Sequence, residues 1–269
     1  MPEGSLIKTP ASTFLFDKVS GLLKGVINSN DLTTYRTAAG SALATALFSN
    51  PQSKVVVIFG TGPQALVHLK FMLFVRKTLE KVYIFTKRSI NDLDVETLAK
   101  FKDIFQLVEF VFINSNNNAI GDLLQKADII CTCTNSKVPV FNGNLVNKGT
   151  HINAIGSYTL DTAELDDALM KKLTKVLVDS KVEAKKEAGE LKSLLQQEKN
   201  NKETKNKIIF ELVNINLENL ENGSNNVNLW DNDNLTLFKS VGVPLQDLFI
   251  ADFIYGKALE KELGTSINF

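Results

Sequence analysis

The chain is predicted to be an α/β protein, a doubly wound parallel sheet with helices on both faces. Two observations carry the prediction. Apolar strand-like runs alternate with helix-like runs along most of the length, the order a parallel sheet requires because each crossover needs a helix. At one such junction the sequence reads KVVVIFGTGPQA: a strand, then Gly60-x-Gly62-x-x-Ala65, then a helix.

The elements follow in order. STFLFDKVSGLLKGVIN (12–28) sets two short apolar runs around a Lys-Val-Ser-Gly turn and reads as a β-hairpin. LTTYRTAAGSALATALF (32–48) reads as a helix, with Ala38, Ala39, Ala42, Leu43 and Ala46 at helical spacing and small enough for close packing. Strand-like KVVVIFG (54–60), helical PQALVHLKFMLFVRKTL (63–79) and strand-like KVYIFTK (81–87) come next. A helix is expected around 93–103, a strand in LVEFVFIN (107–114) and a helix in IGDLLQKA (120–127). DIICTCT (128–134), HINAIG (151–156) and KVLVDS (175–180) read as further strands. Two tracts break the pattern. QQEKNNKETKNK (196–207) is polar throughout, and nine of the 21 residues at 214–234 are Asn. Both read as solvated surface insertions with no core-forming power.

Composition narrows the function classes. A chain of 269 residues, 44% hydrophobic, can bury one large core or two modest ones. Lys plus Arg and Asp plus Glu are both 30, so nothing in the balance points to nucleic acid or an anionic membrane as partner. The apolar runs are shorter than a membrane span, and MPEGSLIKTPAST has no signal core, so a cytoplasmic protein is expected. Two Cys, both in CTC (131–133), and two His give no metal framework.

The glycine motif carries chemistry. Gly60 permits the tight turn and Gly62 lets the backbone approach a pyrophosphate. Ala65 lets helix and strand pack closely, and Thr61, Pro63 and Gln64 of the same turn are expected to bind the cofactor with Gly60 and Gly62. A helix N-terminus adds free N–H groups and a positive dipole. The alternative is a bland strand–turn–helix that only needs small residues. An NAD site wants an acid at the end of the next strand, where this chain has Thr86, Lys87, Arg88 and Ser89. Two cations and two hydroxyls suit a 2′-phosphate, so NADP(H) is favoured over NAD(H). The alternative is that Lys87 and Arg88 only solvate a loop. Thr132 and Thr134 are expected to wall the nicotinamide side, with Cys131 and Cys133 as buried small apolar residues. His68 and His151 read as packing residues or single hydrogen-bonders.

Several blocks then line up with one family: RTAAGSALAT (36–45), GTGPQALVH (60–68), ADIICTCTNSKVPVF (127–141), GTHINAIG (149–156), AELDDALM (163–170), VDSKVEAKKEAGE (178–190) and LFKSVGVPLQDLFIADFIY (237–255). Together they resemble the ornithine cyclodeaminase and mu-crystallin family over about 12–256. The resemblance implies a Rossmann-type NAD(P)-binding domain at 49–243, with polar insertions at 192–207 and 214–234. It also implies a partial substrate and dimerisation domain at 1–48, completed by 244–269. It implies that Arg36 binds a substrate carboxylate; the alternative is a structural Arg pairing with a helix terminus. It places Gly156 and Lys239 near the cofactor.

Two departures from the family pattern matter. Where cyclodeaminase-type members carry an Asp in the loop after the NAIG run, this chain has Tyr158, a phenol with a reference pKa of about 10. Asp161 lies three residues on. The family also has a further N-terminal stretch before the hairpin, without counterpart here, which would weaken the homodimer it implies and leave apolar strand edges uncovered. The expectation is an NADP(H)-binding imine or ketimine reductase acting on a small carboxylate-bearing substrate. The alternatives are a non-catalytic NADP(H) or small-ligand binder and, behind it, an ornithine cyclodeaminase.

Overall fold

The structure, a computed structural model, describes residues 11–87, 99, 104–114, 120–191, 208–214 and 229–267. The chain divides into two compact units, one from Met1–Thr37 with Gly242–Phe269, the other Ala38–Val241. The first break falls inside the helix at 32–48 rather than after it. Its later residues explain this: Ala42 packs with Val56 and Ile58, and Ala44, Leu47 and Phe48 pack with Leu177 and Phe238.

The smaller unit holds the hairpin, β1 (Ser12–Phe16) and β2 (Leu23–Asn28), paired antiparallel as predicted, and the last helix, α6 (Pro244–Glu260). Asp17 shapes the turn by accepting hydrogen bonds from the Val19 and Ser20 backbones at 3.0 and 2.8 Å. Leu15 and Leu32 pack with Ala251, while Phe14, Phe16 and Val26 on the hairpin and Leu248, Phe249 and Phe253 on α6 stay exposed.

The larger unit is the predicted parallel sheet. After α1 (Leu32–Phe48) come β3 (Val55–Phe59), α2 (Pro63–Val75), β4 (Lys81–Thr86), β5 (Glu109–Asn114), α3 (Ile120–Gln125), β6 (Ile129–Thr132) and β7 (His151–Ala154). Then follow α4 (Asp167–Lys172), β8 (Lys175–Val178), α5 (Lys181–Glu187), β9 (Ile208–Glu211) and β10 (Thr236–Lys239). The 8-stranded sheet runs β5-β4-β3-β6-β7-β10-β8-β9, parallel at every pairing. The order reverses at β3, so the crevice beyond the carboxyl ends of β3 and β6 is where a ligand belongs in such a sheet.

Strand alternation builds the two faces. Val56 and Ile58 turn toward Ala65, Leu69 and Met72 of α2. Val57 and Phe59 turn the other way, into a core shared with Leu124 of α3, Leu169 of α4 and Ala184 of α5. β9 and β10 were not anticipated. Both are four residues long and flank the Asn-rich tract, and their short apolar runs are too brief for periodicity to identify. The tract at 214–234 is also not wholly solvated: the Leu229 N–H donates to the Leu47 carbonyl at 2.7 Å, and the Trp230 ring N–H to the Gly149 carbonyl at 3.1 Å. The helix expected around 93–103, the tract at 192–207 and residues 215–228 of the Asn-rich tract lie outside the described residues, Ala99 excepted.

α1 departs from the simple apolar stripe. Ala46 is exposed, whereas Ser41 and Thr45 are fully buried. Their hydroxyls explain it: Ser41 meets His68 Nε2 at 2.9 Å, and Thr45 accepts from Asn153 Nδ2 at 2.9 Å. Buried Arg76, after α2, closes the helix by donating to the carbonyls of Thr45 at 2.7 Å, Ala46 at 3.0 Å and Ser49 at 3.1 Å. Each histidine makes two contacts rather than one. His68 Nδ1 also meets the Gln64 carbonyl at 2.8 Å, and His151 bridges Thr236 Oγ1 at 2.8 Å and Asn153 Oδ1 at 3.3 Å.

Burial lowers His68 to about 4 and His151 to about 3, so both are neutral in the folded protein at pH 7. Unfolding restores their ordinary affinity for protons. Their contribution is therefore fully present above pH 6.5 and is lost as pH falls through 6.5 toward about 4 for His68 and about 3 for His151, with about 3 kcal/mol at stake for His68. Thermal melts between pH 7.5 and 5 should lose stability with a slope that grows from near zero at pH 7.5 toward about two protons taken up per molecule unfolded near pH 5. A flat profile would mean that the histidines are charged or exposed.

Candidate functional site

The strongest sequence motif lies where the sheet reverses. Gly60 follows the last residue of β3 with φ at +112°, a conformation that L side chains rarely adopt. A Cβ there would lie 2.6 Å from the Cys133 carbonyl oxygen, so the β3 turn and the β6 end need this glycine to touch. Gly62 differs. It is the N-cap of α2, and a Cβ would meet nothing within 4 Å. No side chain caps α2. Its first N–H groups are thus available to an anion, and the positive end of the helix faces the same way. Gln64 Oε1 is buried without a hydrogen-bond partner among the described residues. The glycine turn and the uncapped N-terminus fit a dinucleotide pyrophosphate, whereas the orphaned Gln64 oxygen, an acceptor, suits a hydroxyl donor such as a ribose. Ala65 is buried against Val56 and Ile58.

Thr86 ends β4 and is buried, its hydroxyl 3.5 Å from that of Thr61, at the outer limit of a hydrogen bond. Lys87 follows it, exposed. Arg88 lies outside the described residues.

The other half of the crevice is organised by a residue that sequence reasoning did not single out. Glu164 is fully buried. Its Oε1 accepts from the Thr134 backbone N–H and hydroxyl, both at 2.6 Å. Its Oε2 accepts from Thr132 Oγ1 at 2.8 Å and the Gly156 N–H at 2.7 Å. One carboxylate therefore joins the β6 end to the loop after β7. Burial pushes its pKa up, opposed by the Thr134 hydrogen bonds and by the charge of Lys239. The backbones here pack so closely that a Cβ on Gly156 would lie 1.8 Å from the Thr134 carbonyl oxygen.

Behind Glu164 lies an ion pair. Glu190 Oε2 accepts the backbone N–H groups of Glu164 at 2.9 Å and Leu165 at 3.1 Å. Glu190 Oε1 stands 2.9 Å from Lys239 Nζ, with both side chains almost wholly excluded from water. The angle at this contact is not that of a hydrogen bond, and neither atom has another such partner among the described residues. Lys239, expected near the cofactor, thus spends its ammonium on Glu190. Nothing in the sequence pointed to Glu190, since the strand that carries Lys239 was itself not anticipated.

The loop after Gly156 carries no inward acid besides Glu164. Ser157 is buried, its hydroxyl on the Thr162 carbonyl at 2.8 Å, whereas Tyr158 is 59% exposed. Asp161 points outward, accepting from Thr159 Oγ1 at 2.6 Å and pairing with Lys137 at 3.2 Å. Arg36 belongs to the smaller unit and finds its partners there: Nε donates to Asp247 Oδ1 at 3.1 Å and Nη1 to Gln246 Oε1 at 3.0 Å. Among the described residues no group of three or more His, Cys, Asp or Glu could hold a metal, and no helix is long and apolar enough to cross a membrane.

The model of the "Ornithine cyclodeaminase/mu-crystallin family" matches residues 2–262. The chain is 30% identical to a Delta(1)-pyrroline-2-carboxylate reductase of Bacillus cereus, over 95% of this chain and 73% of that protein. It is 32% identical to the ketimine reductase mu-crystallin of Mus musculus, over 91% and 68%. Among solved structures, the Thermococcus litoralis Delta(1)-pyrroline-2-carboxylate reductase in complex with NADH and L-proline superposes with a TM-score of 0.77 at 28% identity, over 96% of this chain and 74% of that one.

The two glycines should respond in opposite ways. Gly156→Ala drives a methyl into backbone and should cost about 3 kcal/mol or more, seen as a large fall in melting temperature. Gly62→Ala should cost no more than about 1 kcal/mol of stability. It should nonetheless weaken dinucleotide binding measured by calorimetry, because the new methyl occupies the space left for the ligand.

Proposed function

The chain belongs to the ornithine cyclodeaminase/mu-crystallin family, and we propose that it is an NADP(H)-dependent reductase of small imines that carry a carboxylate. One observation weighs most within the family. The loop after β7 offers no carboxylate to a substrate amine: Tyr158 stands at that position, Asp161 is tied to Lys137 at the surface, and all four hydrogen bonds of Glu164 are spent on the fold. Cyclodeamination would need a free acid there. Reduction of an imine does not.

When bound, the nicotinamide supplies the hydride. The chain's own residues do the rest. Gly60, Thr61 and Gly62 with the N-terminus of α2 receive the pyrophosphate. Lys87 and Arg88, after Thr86, oppose a 2′-phosphate, which is the basis for preferring NADP(H). Thr134 and Gly156 wall the nicotinamide side, held in place by Glu164. Arg36 binds the substrate carboxylate, and the Tyr158 hydroxyl orients the substrate or donates the proton that imine reduction consumes.

A second reading, a dinucleotide-binding protein without turnover, is favoured by the contacts of Arg36, whose guanidinium is already engaged by Gln246 and Asp247.

The test is turnover of Δ1-pyrroline-2-carboxylate with NADPH or NADH, scored as proline formed. The proposal expects proline, and more of it with NADPH. Dinucleotide binding without turnover of this or other cyclic ketimines would select the second reading, and ammonia released from ornithine would overturn both. Arg88→Asp should lower the NADPH-to-NADH affinity ratio about tenfold. An unchanged ratio would remove the basis for NADP(H).

A further inference from the structure

Three buried ionisable side chains, Glu164, Glu190 and Lys239, form one cluster behind the carboxyl ends of β6, β7 and β10. Each oxygen of Glu164 already faces two donors. One donor on each oxygen, the Thr134 N–H on Oε1 and the Gly156 N–H on Oε2, is a backbone group that can only donate, and together with the nearby Lys239 charge these favour the carboxylate form. Lys239 balances Glu190 across 2.9 Å. One negative charge is left over, and it sits on Glu164.

The location of that charge matters. Thr134 and Gly156 are half-buried, and Glu164 lies directly behind them with no exposure to water. If the crevice holds a dinucleotide, as the preceding section proposes and as this inference requires, the charge stands behind the wall of the nicotinamide pocket. An oxidised nicotinamide ring is cationic and a reduced one is neutral. A fixed anion shielded from water attracts the first and not the second.

We propose that Glu164 is a positioning residue that also sets the preference of the site for the oxidised over the reduced dinucleotide, easing loss of hydride from the reduced form. The neutral amide has the same size but sets an NH2 against donors, so charge and packing are separated only by two substitutions read together, each beside its melting temperature. Glu164→Gln keeps the size and removes the charge. Glu164→Asp keeps the charge and withdraws it by one methylene.

The measurement is the dissociation constants of NADP+ and NADPH, taken by calorimetry on the full chain and both variants, with melting temperatures alongside. Glu164→Gln should raise the NADP+ to NADPH ratio of dissociation constants at least about fivefold, while Glu164→Asp leaves the ratio near that of the parent even where it lowers stability. A purely structural role would weaken both forms equally. An unchanged ratio in Glu164→Gln, or the same change in both variants, overturns the proposal. Should Glu164→Gln fail to fold, Glu190→Gln removes a charge from the same cluster without touching Thr132, Thr134 or Gly156, and must shift the ratio in the same direction; no shift overturns the proposal. If the parent chain binds neither form, the dinucleotide reading falls first. Binding of both without a shift sinks only the role given to Glu164.

Discussion

One buried carboxylate holds the functional end of the sheet together. Glu164 takes four hydrogen bonds from Thr132, Thr134 and Gly156, residues at the ends of two neighbouring strands. Such a group is costly to bury alone, and the cost is offset only because every donor around it is also satisfied. The dependence runs both ways. Without the carboxylate, the Thr134 N–H and two hydroxyls would lose their acceptor, and the Gly156 N–H would keep only the Thr132 carbonyl at 3.2 Å, in a region where backbones are too close to admit a side chain at Gly156. The geometry of the crevice therefore rests on an interaction that is not part of any strand ladder.

The sheet brings the rest of that network from distant parts of the chain. β10 enters between β7 and β8, pairing Lys239 with Ala154 on one side and Val178 on the other. This puts a lysine at the end of a strand that is buried on both faces. It is tolerable because the segment after α5 returns Glu190 to the same place, where its second oxygen takes the Glu164 and Leu165 N–H groups. Residues far apart in the chain thus share one electrostatic balance. Removing one partner would leave an uncompensated charge, which costs more than the pair contributes.

The legible part of the protein was the part governed by local rules. The strand–helix alternation, the hairpin around Asp17 and the turn at Gly60 are written in short stretches, because periodicity and backbone conformation are local properties. β9 and β10 were not legible, since a four-residue apolar run looks alike in a strand and in a buried turn. Glu164 was inside a recognised block, AELDDALM, yet no spacing rule says which of its three acids turns inward. That choice is made by donors on other strands. The buried face of α1 was misplaced for a similar reason: Ser41 and Thr45 go inside because His68 and Asn153 wait for them, whereas Ala46 has nothing to meet.

The contacts of Arg36 bear on both readings of the function, and their geometry brings the two closer than they first look. Asp247 occupies Nε and Gln246 occupies Nη1, so neither edge of the guanidinium is taken by a bidentate partner. Asp247 lies in the first turn of α6, where a carboxylate is favoured whether or not an arginine is near. Gly242, with φ at +87°, packs its backbone against the guanidinium so closely that a Cβ would be 2.6 Å from Nη1. The side chain is therefore held in one orientation before any ligand arrives. A carboxylate on the Nη1–Nη2 edge would displace the Gln246 contact, worth about 2 kcal/mol because its donor is charged, and replace a neutral acceptor with an anionic one. Asp247 can keep its grip on Nε throughout. Asp247, Gln246 and Gly242 of the smaller unit thus fix the orientation of the guanidinium.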